Sequence, residues 1–135
     1  MFTRNAKVAK LRQVPLFSDC SGKELGEIAS TADEIYFPAG KTLIKEGATG
    51  REFIVILQGA VEVRRNGRRL AQAGGSSFFG EAALLTGAPR NATVTTTSPV
   101  DALVITDRAF KKLLKDVPSI QGKILTALAA RLAND

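Results

Sequence analysis

The chain has 135 residues, which suits one domain large enough to bury a core without disulfide or metal support. It has no histidine, the commonest metal ligand and general base, and its one cysteine, Cys20, can form no internal disulfide. Its 19 Lys and Arg against 13 Asp and Glu give a net charge of +6, and no charge-free apolar run approaches the roughly 20 residues of a membrane span. The first ten residues also lack the apolar centre of a signal peptide, so a reducing, cytoplasmic location is expected.

In chain order, Val8, Leu11 and Val14 predict a short amphipathic helix within a basic arm that carries Arg4, Lys7, Lys10 and Arg12. Ser21 can cap a second helix with Glu24 at the capping-box position, running to about Ser30. Alternating or apolar runs then predict strands at Glu34–Phe37, Thr42–Lys45, Glu52–Leu57, Ala60–Arg65, Arg68–Gln72, Ala92–Thr97 and Asp101–Ile105. Asn66-Gly67 marks a tight hairpin flanked by Arg64, Arg65, Arg68 and Arg69. Those arginines read most simply as a solvated tip, with a docking patch for an acidic partner or membrane surface as the alternative. No aromatic residue interleaves with them, so a stacking platform for single strands is not expected.

Asp107 can cap a helix to about Asp116, where further lysines gather, and a last helix is predicted from Ser119 to Ala133. Ile120, Ile124, Leu128 and either Ala127 or Leu132 form its apolar stripe, which fits packing on the barrel or a subunit contact equally well. The fold class is mainly β: a β-roll or jelly roll over residues 33–106, with an N-terminal helical segment (1–32) and C-terminal helices (107–135).

The most informative stretch runs from Phe79 to Val94. Strong helix formers follow Gly80 through Leu85, and Thr86-Gly87-Ala88-Pro89 ends them. The first N–H groups of so short a helix have no internal partner and favour an anion. Gly80, Ala82 and Ala83 are small enough for a ligand to approach that backbone. Arg90 can grip two phosphate oxygens at once, a geometry lysine cannot reproduce. Glu81, acceptor only, would repel phosphate and suits a donor such as a ribose hydroxyl. The pair implies a ligand with an anionic end beside a hydroxyl, unless the two simply bridge each other at a turn.

This segment resembles the phosphate-binding cassette of the cyclic nucleotide-binding domain family, which includes regulatory subunits of cyclic AMP-dependent protein kinase and bacterial catabolite activator proteins. The match is carried by Phe79-Gly80-Glu81, Ala83-Leu84, Pro89-Arg90 and Ala92-Thr93-Val94. It extends upstream through Pro38-Ala39-Gly40, Ile44-Lys45-Glu46-Gly47 and the run from Phe53 to Val63, covering the chain from about Leu16 onward. The resemblance implies that Arg90 binds the cyclic phosphate, that Glu81 accepts from the ribose 2′-hydroxyl, and that Gly80 admits the sugar. The backbone N–H groups of Ala83 and Asn91 would complete the cradle, with Ala82, Ala92 and Phe79 around it and Val63 and Leu70 as apolar contacts for the base.

The implied ligand is cAMP, or alternatively cGMP, with no cofactor and no metal. Asn91 departs from the alanine or threonine usual after the arginine. Its side-chain amide either reaches a phosphate oxygen or a purine edge or, the preferred reading, lies in solvent while its backbone N–H acts. Neither a nucleophile–base pair nor a metal cluster is apparent, so an enzyme is not expected. The chain ends at Asp135, without residues for a helix-turn-helix, so sequence-specific DNA binding is not expected and the base is expected to be exposed or covered by a partner. The favoured reading is a sensor whose C-terminal helices move on binding. The alternative is a ligand-free, degenerate domain that binds proteins through those helices or the Arg64–Arg69 hairpin.

Overall fold

The computed structural model describes residues 4–133, with side chains for 6–130, so the expectations that fall on Met1, Arg4, Leu132 and Asp135 lie outside the described side chains. Helix α1 (Arg4–Arg12) turns Leu11 inward, followed by the buried Val14 and a 3-10 turn at Pro15–Phe17. Helix α2 (Gly22–Thr31) starts on the expected capping box: Ser21 Oγ accepts from the Glu24 N–H at 3.1 Å, and the Glu24 carboxylate accepts from the Ser21 N–H at 2.8 Å. Its C-terminal carbonyls are met by Lys7, whose Nζ donates to Ala29 O and Ala32 O at 2.9 and 2.8 Å.

Eight strands follow: β1 (Asp33–Phe37), β2 (Thr42–Ile44), β3 (Glu52–Gln58), β4 (Val61–Arg65), β5 (Arg68–Ala73), β6 (Phe78–Phe79), β7 (Thr93–Thr96) and β8 (Val100–Thr106). They pair antiparallel in two four-stranded sheets, ordered β1-β8-β3-β6 and β2-β7-β4-β5. The β-roll expected from the alternating runs is therefore the fold. Between β4 and β5, Asn66 and Gly67 both take positive φ, 53° and 77°, as a two-residue hairpin of the favoured twist requires.

Strands β3 and β8 are buried on both faces, which is why they read as nearly continuous apolar runs. Phe53 and Val55 of β3, with Leu103 and Ile105 of β8, face a core built with helices α1 and α2 and the last two helices, α4 (Asp107–Asp116) and α5 (Pro118–Ala133). The alternate residues Ile54, Ile56, Val100 and Ala102 face a second core inside the roll, with Ile44, Val61 and Val94.

Two elements escaped the sequence pattern. Strand β6 has only two residues, too few to show a period, and is held by pairing with Ile54 and Val55. The cap of α4 is Thr106 rather than Asp107: Thr106 Oγ1 accepts from the Ala109 N–H at 3.2 Å, while Asp107 is the first helical residue and pairs with Lys111 at 3.2 Å.

One ionic cluster joins α1 to the sheet. Lys10 Nζ lies 2.6 Å from the Glu34 carboxylate and 3.3 Å from that of Asp101, and the Tyr36 hydroxyl donates to Glu34 at 2.9 Å. Burial pushes the Glu34 carboxyl up, but bonds with Lys10, Asp101 and Tyr36 outweigh it and hold it below its ordinary value. Burial and the neighbouring Glu34 raise Asp101 instead, and the bond to Glu34 raises Lys10.

Replacing Lys10 with Met leaves two carboxylates on one buried patch and is expected to cost about 1–3 kcal/mol in urea unfolding at neutral pH, the lower part reflecting the partial exposure of Lys10. Asp101, with its raised value, takes up a proton first as pH falls. The penalty therefore shrinks toward about pH 4, and a pH-independent penalty would count against the ionic link. Gly59 has φ 105°, and a Cβ there would lie 2.3 Å from Pro99 O, so Gly59→Ala is expected to destabilise the fold by about 2 kcal/mol or more by the same measurement.

Candidate nucleotide-binding site

Strand β6 delivers the chain to Gly80, which sits at φ 104°, ψ −6° and opens helix α3 (Glu81–Thr86). Glycine is required here twice over. The conformation is left-handed, and a Cβ would lie 2.6 Å from Glu52 O and 2.7 Å from the Arg90 guanidinium. Gly87 ends the helix, also left-handed, its N–H donating to Ala83 O at 2.9 Å.

Arg90 arrives on an arm clamped from both sides. Gly47 N–H donates to Arg90 O, and Arg90 N–H donates to Ala48 O, each at 2.8 Å. The side chain folds back under α3, where Nη1 donates to Gly80 O at 3.1 Å and Nη2 donates to Glu52 O at 2.7 Å. Its close carboxylate is that of Glu52, at 3.8 Å and half exposed. Arg90 is only 6% exposed, and Gly50 makes room for it, since a Cβ there would lie 2.9 Å from the guanidinium carbon. Burial lowers the guanidinium's affinity for its proton, and the charges of Glu52 and Glu81 oppose that loss. The arrangement is a buried cation whose direct bonds go to neutral carbonyls.

Above it opens a cavity of about 580 Å³ between the β4–β5 hairpin, the β6–α3 segment, the arm after Arg90 and helix α5. All ten residues expected at a ligand site, Val63, Leu70, Phe79, Gly80, Glu81, Ala82, Ala83, Arg90, Asn91 and Ala92, line it. Glu81 is buried to 1% exposure at the first turn of α3. Asn91 is exposed while Ala92 is buried, in keeping with a strand entry whose polar side chain faces water.

The cavity also has walls that pattern reasoning did not supply. Arg65, assigned to a solvated tip, lines it, as do Ser76 and Ser77. The bulge opposite Val63 and Arg64 puts the extra residue, Leu70, on β5, while β4 keeps its register with β7, so Arg65 lies on the same face as Val63. Ala127 and Leu128 bring α5 to the same cavity and add an apolar wall from outside the cassette and the hairpin. The apolar stripe on α5 was visible, but what it packs on was not. Among the described residues no group of His, Cys, Asp and Glu could hold a metal ion.

The family model for the cyclic nucleotide-binding domain matches residues 34–117. A cGMP-dependent protein kinase of Toxoplasma gondii is 32% identical over 129 residues, covering 95% of this chain and 12% of that protein. A cAMP-dependent protein kinase regulatory subunit of Aspergillus fumigatus is 36% identical over 117 residues, covering 85% of this chain and 28% of that protein. This chain therefore spans less than a third of the length of either relative. Among solved structures, Sp-2Cl-cAMPS bound to PKAR CBD2 shares the fold with a TM-score of 0.83 at 23% identity, covering 97% of this chain and 90% of that one. The matched residues run from the second residue of β1 through β8 and α4 and include the cassette and Arg90, and the chain belongs to the cyclic nucleotide-binding domain family.

Proposed function

We propose that the cavity binds a cyclic nucleotide, cAMP in the first place and cGMP in the second, and that the chain is a sensor module read out through its C-terminal helices. The observation that carries this reading is the burial of Arg90 at the cavity floor among carbonyls. A buried cation whose direct bonds go to carbonyls is costly, and a cyclic phosphate would supply a negative charge in direct contact and two acceptors. Glu81, buried beside it, suits the ribose 2′-hydroxyl, and Gly80 lets the sugar approach the backbone. The N–H groups of Ala83 and Asn91 complete the phosphate cradle. Val63, Leu70, Ala127 and Leu128 offer the base an apolar bed.

The same residues suggest the response. Leu84, on α3, is buried in one core with Phe53 and Phe110, whose rings stack at 4.5 Å. Drawing α3 and Arg90 toward a phosphate would shift Leu84 against Phe110 and so move α4 and α5. Relatives carry names for both nucleotides, which supports the ligand class and leaves the base to titration. A protein partner would meet α4 and α5 or the basic hairpin. No described helix is long and apolar enough to cross a membrane, and together with the buried Cys20 thiol, which is in no disulfide, this supports a cytoplasmic setting.

Calorimetric titration with cAMP and cGMP is expected to show saturable binding of at least one, and Arg90→Ala is expected to weaken it about ten- to a hundred-fold. If neither nucleotide binds at about 0.1 mM, equivalent to about −5.5 kcal/mol, the sensor reading fails and the protein-interaction alternative stands. Gly80→Ala should weaken binding at least as much, because the added Cβ meets both the Arg90 guanidinium and Glu52 O. In a thermal-shift measurement, ligand at a hundred times its Kd is expected to add about 2.7 kcal/mol of stability to the parent and much less to either variant.

A further inference from the structure

Arg65 belongs to the hairpin whose arginines look like surface charge, yet it is half-buried and lines the cavity. Its Nε donates to Asn91 O at 2.8 Å, on the residue directly after Arg90. Two more bonds tie the same pieces together. The N–H of Asn66, next in the hairpin, donates to the Glu46 carboxylate at 2.9 Å, and the Glu46 N–H donates to Thr93 Oγ1 at 3.0 Å. The adjoining Gly47 N–H holds Arg90 O at 2.8 Å. Hairpin tip, the loop around Glu46 and the arm from Arg90 to Thr93 therefore form one hydrogen-bonded unit with Arg90 within it.

We propose that Arg65 is a positioning residue of the nucleotide site: it holds the arm that carries Arg90 against the hairpin, so that occupancy of the cavity and order in the basic hairpin are linked. This rests on the reading of the cavity as a nucleotide site. A guanidinium suits the task because Nε–H and the terminal N–H groups leave it in one rigid plane, so the bond to Asn91 O also orients the rest of the fork along the cavity wall. An ammonium on a flexible stem carries the charge without that orientation. The position of Arg90 must be held closely, because an anion gripped by a planar fork tolerates little displacement. The coupling is reciprocal: an arm ordered by ligand steadies the hairpin, and a steadied hairpin favours ligand.

The test compares the parent with Arg65→Ala, Arg65→Lys and, as a charge control on the facing strand, Arg68→Ala. Two measurements are made: amide hydrogen exchange at Asn91, Ala92 and Thr93 without ligand, and titration with cAMP and cGMP. Both Arg65 variants are expected to speed exchange at those amides and to weaken binding about ten-fold, with Arg68→Ala matching the parent. In the parent, bound nucleotide slows exchange at the hairpin amides, and in Arg65→Ala it does not. The proposal is overturned if Arg65→Lys behaves as the parent, since charge alone would then suffice, or if Arg68→Ala weakens binding as much as Arg65→Ala. A parent that binds neither nucleotide sinks the sensor reading alone. Unchanged exchange in ligand-free Arg65→Ala sinks the positioning role whatever the ligand.

Discussion

The structure is organised around the burial of one cation. A guanidinium at 6% exposure would be untenable without oriented acceptors, and the fold supplies them from two directions. Gly80 O and Glu52 O come from the start of α3 and the start of β3, segments 28 residues apart in sequence. Their approach depends on positions without side chains, because a Cβ at Gly50 or Gly80 would meet Arg90 within 3 Å. The backbone of Arg90 is then pinned to Gly47 and Ala48, so its direction is set as firmly as its depth. Carbonyl acceptors take the guanidinium's direct hydrogen bonds, and counter-charge comes from the Glu52 carboxylate at 3.8 Å and from Glu81.

The second organising constraint is that β3 and β8 serve two cores at once. Phe53 and Val55 belong to the helical core and Ile54 and Ile56 to the interior of the roll, so neither strand can slip by a residue without inverting both. Helix α3 is planted where these two cores meet. Its Glu81 and Ala83 face the cavity while its Leu84 joins Phe53 and Phe110. A six-residue helix has little stability of its own, so its position is decided by what it packs against, and a change on the cavity side is felt in the helical core.

Much of this was legible from local patterns. The capping box at Ser21 and Glu24, the positive-φ pair Asn66-Gly67 and the double-faced runs of β3 and β8 each announce themselves within a few residues, because each is enforced by short-range sterics or hydrogen bonding. The family resemblance placed Gly80, Glu81 and Arg90 together because the cassette is nearly contiguous. What escaped was whatever lacked a period or depended on a distant partner. Strand β6 exists only through its pairing with Ile54 and Val55, and Asp107 was mistaken for a cap because Thr106, one residue earlier, offers the same chemistry.

The sequence by itself determined the element order, the fold class and the chemical character of the cassette, since these follow from side-chain period, turn stereochemistry and donor–acceptor type. Tertiary structure alone decided which surface each charge meets. Arg65 and Arg68 face each other across one hairpin, yet one reaches Asn91 O and the cavity while the other is exposed. Ala127 and Leu128 become part of the cavity wall only because α5 folds back over the roll. Arg90 acquires its depressed proton affinity from burial among groups up to 43 residues away, between Gly47 and the arm itself. Burial and long-range contact have no local signature, and the electrostatics of the site are built from both.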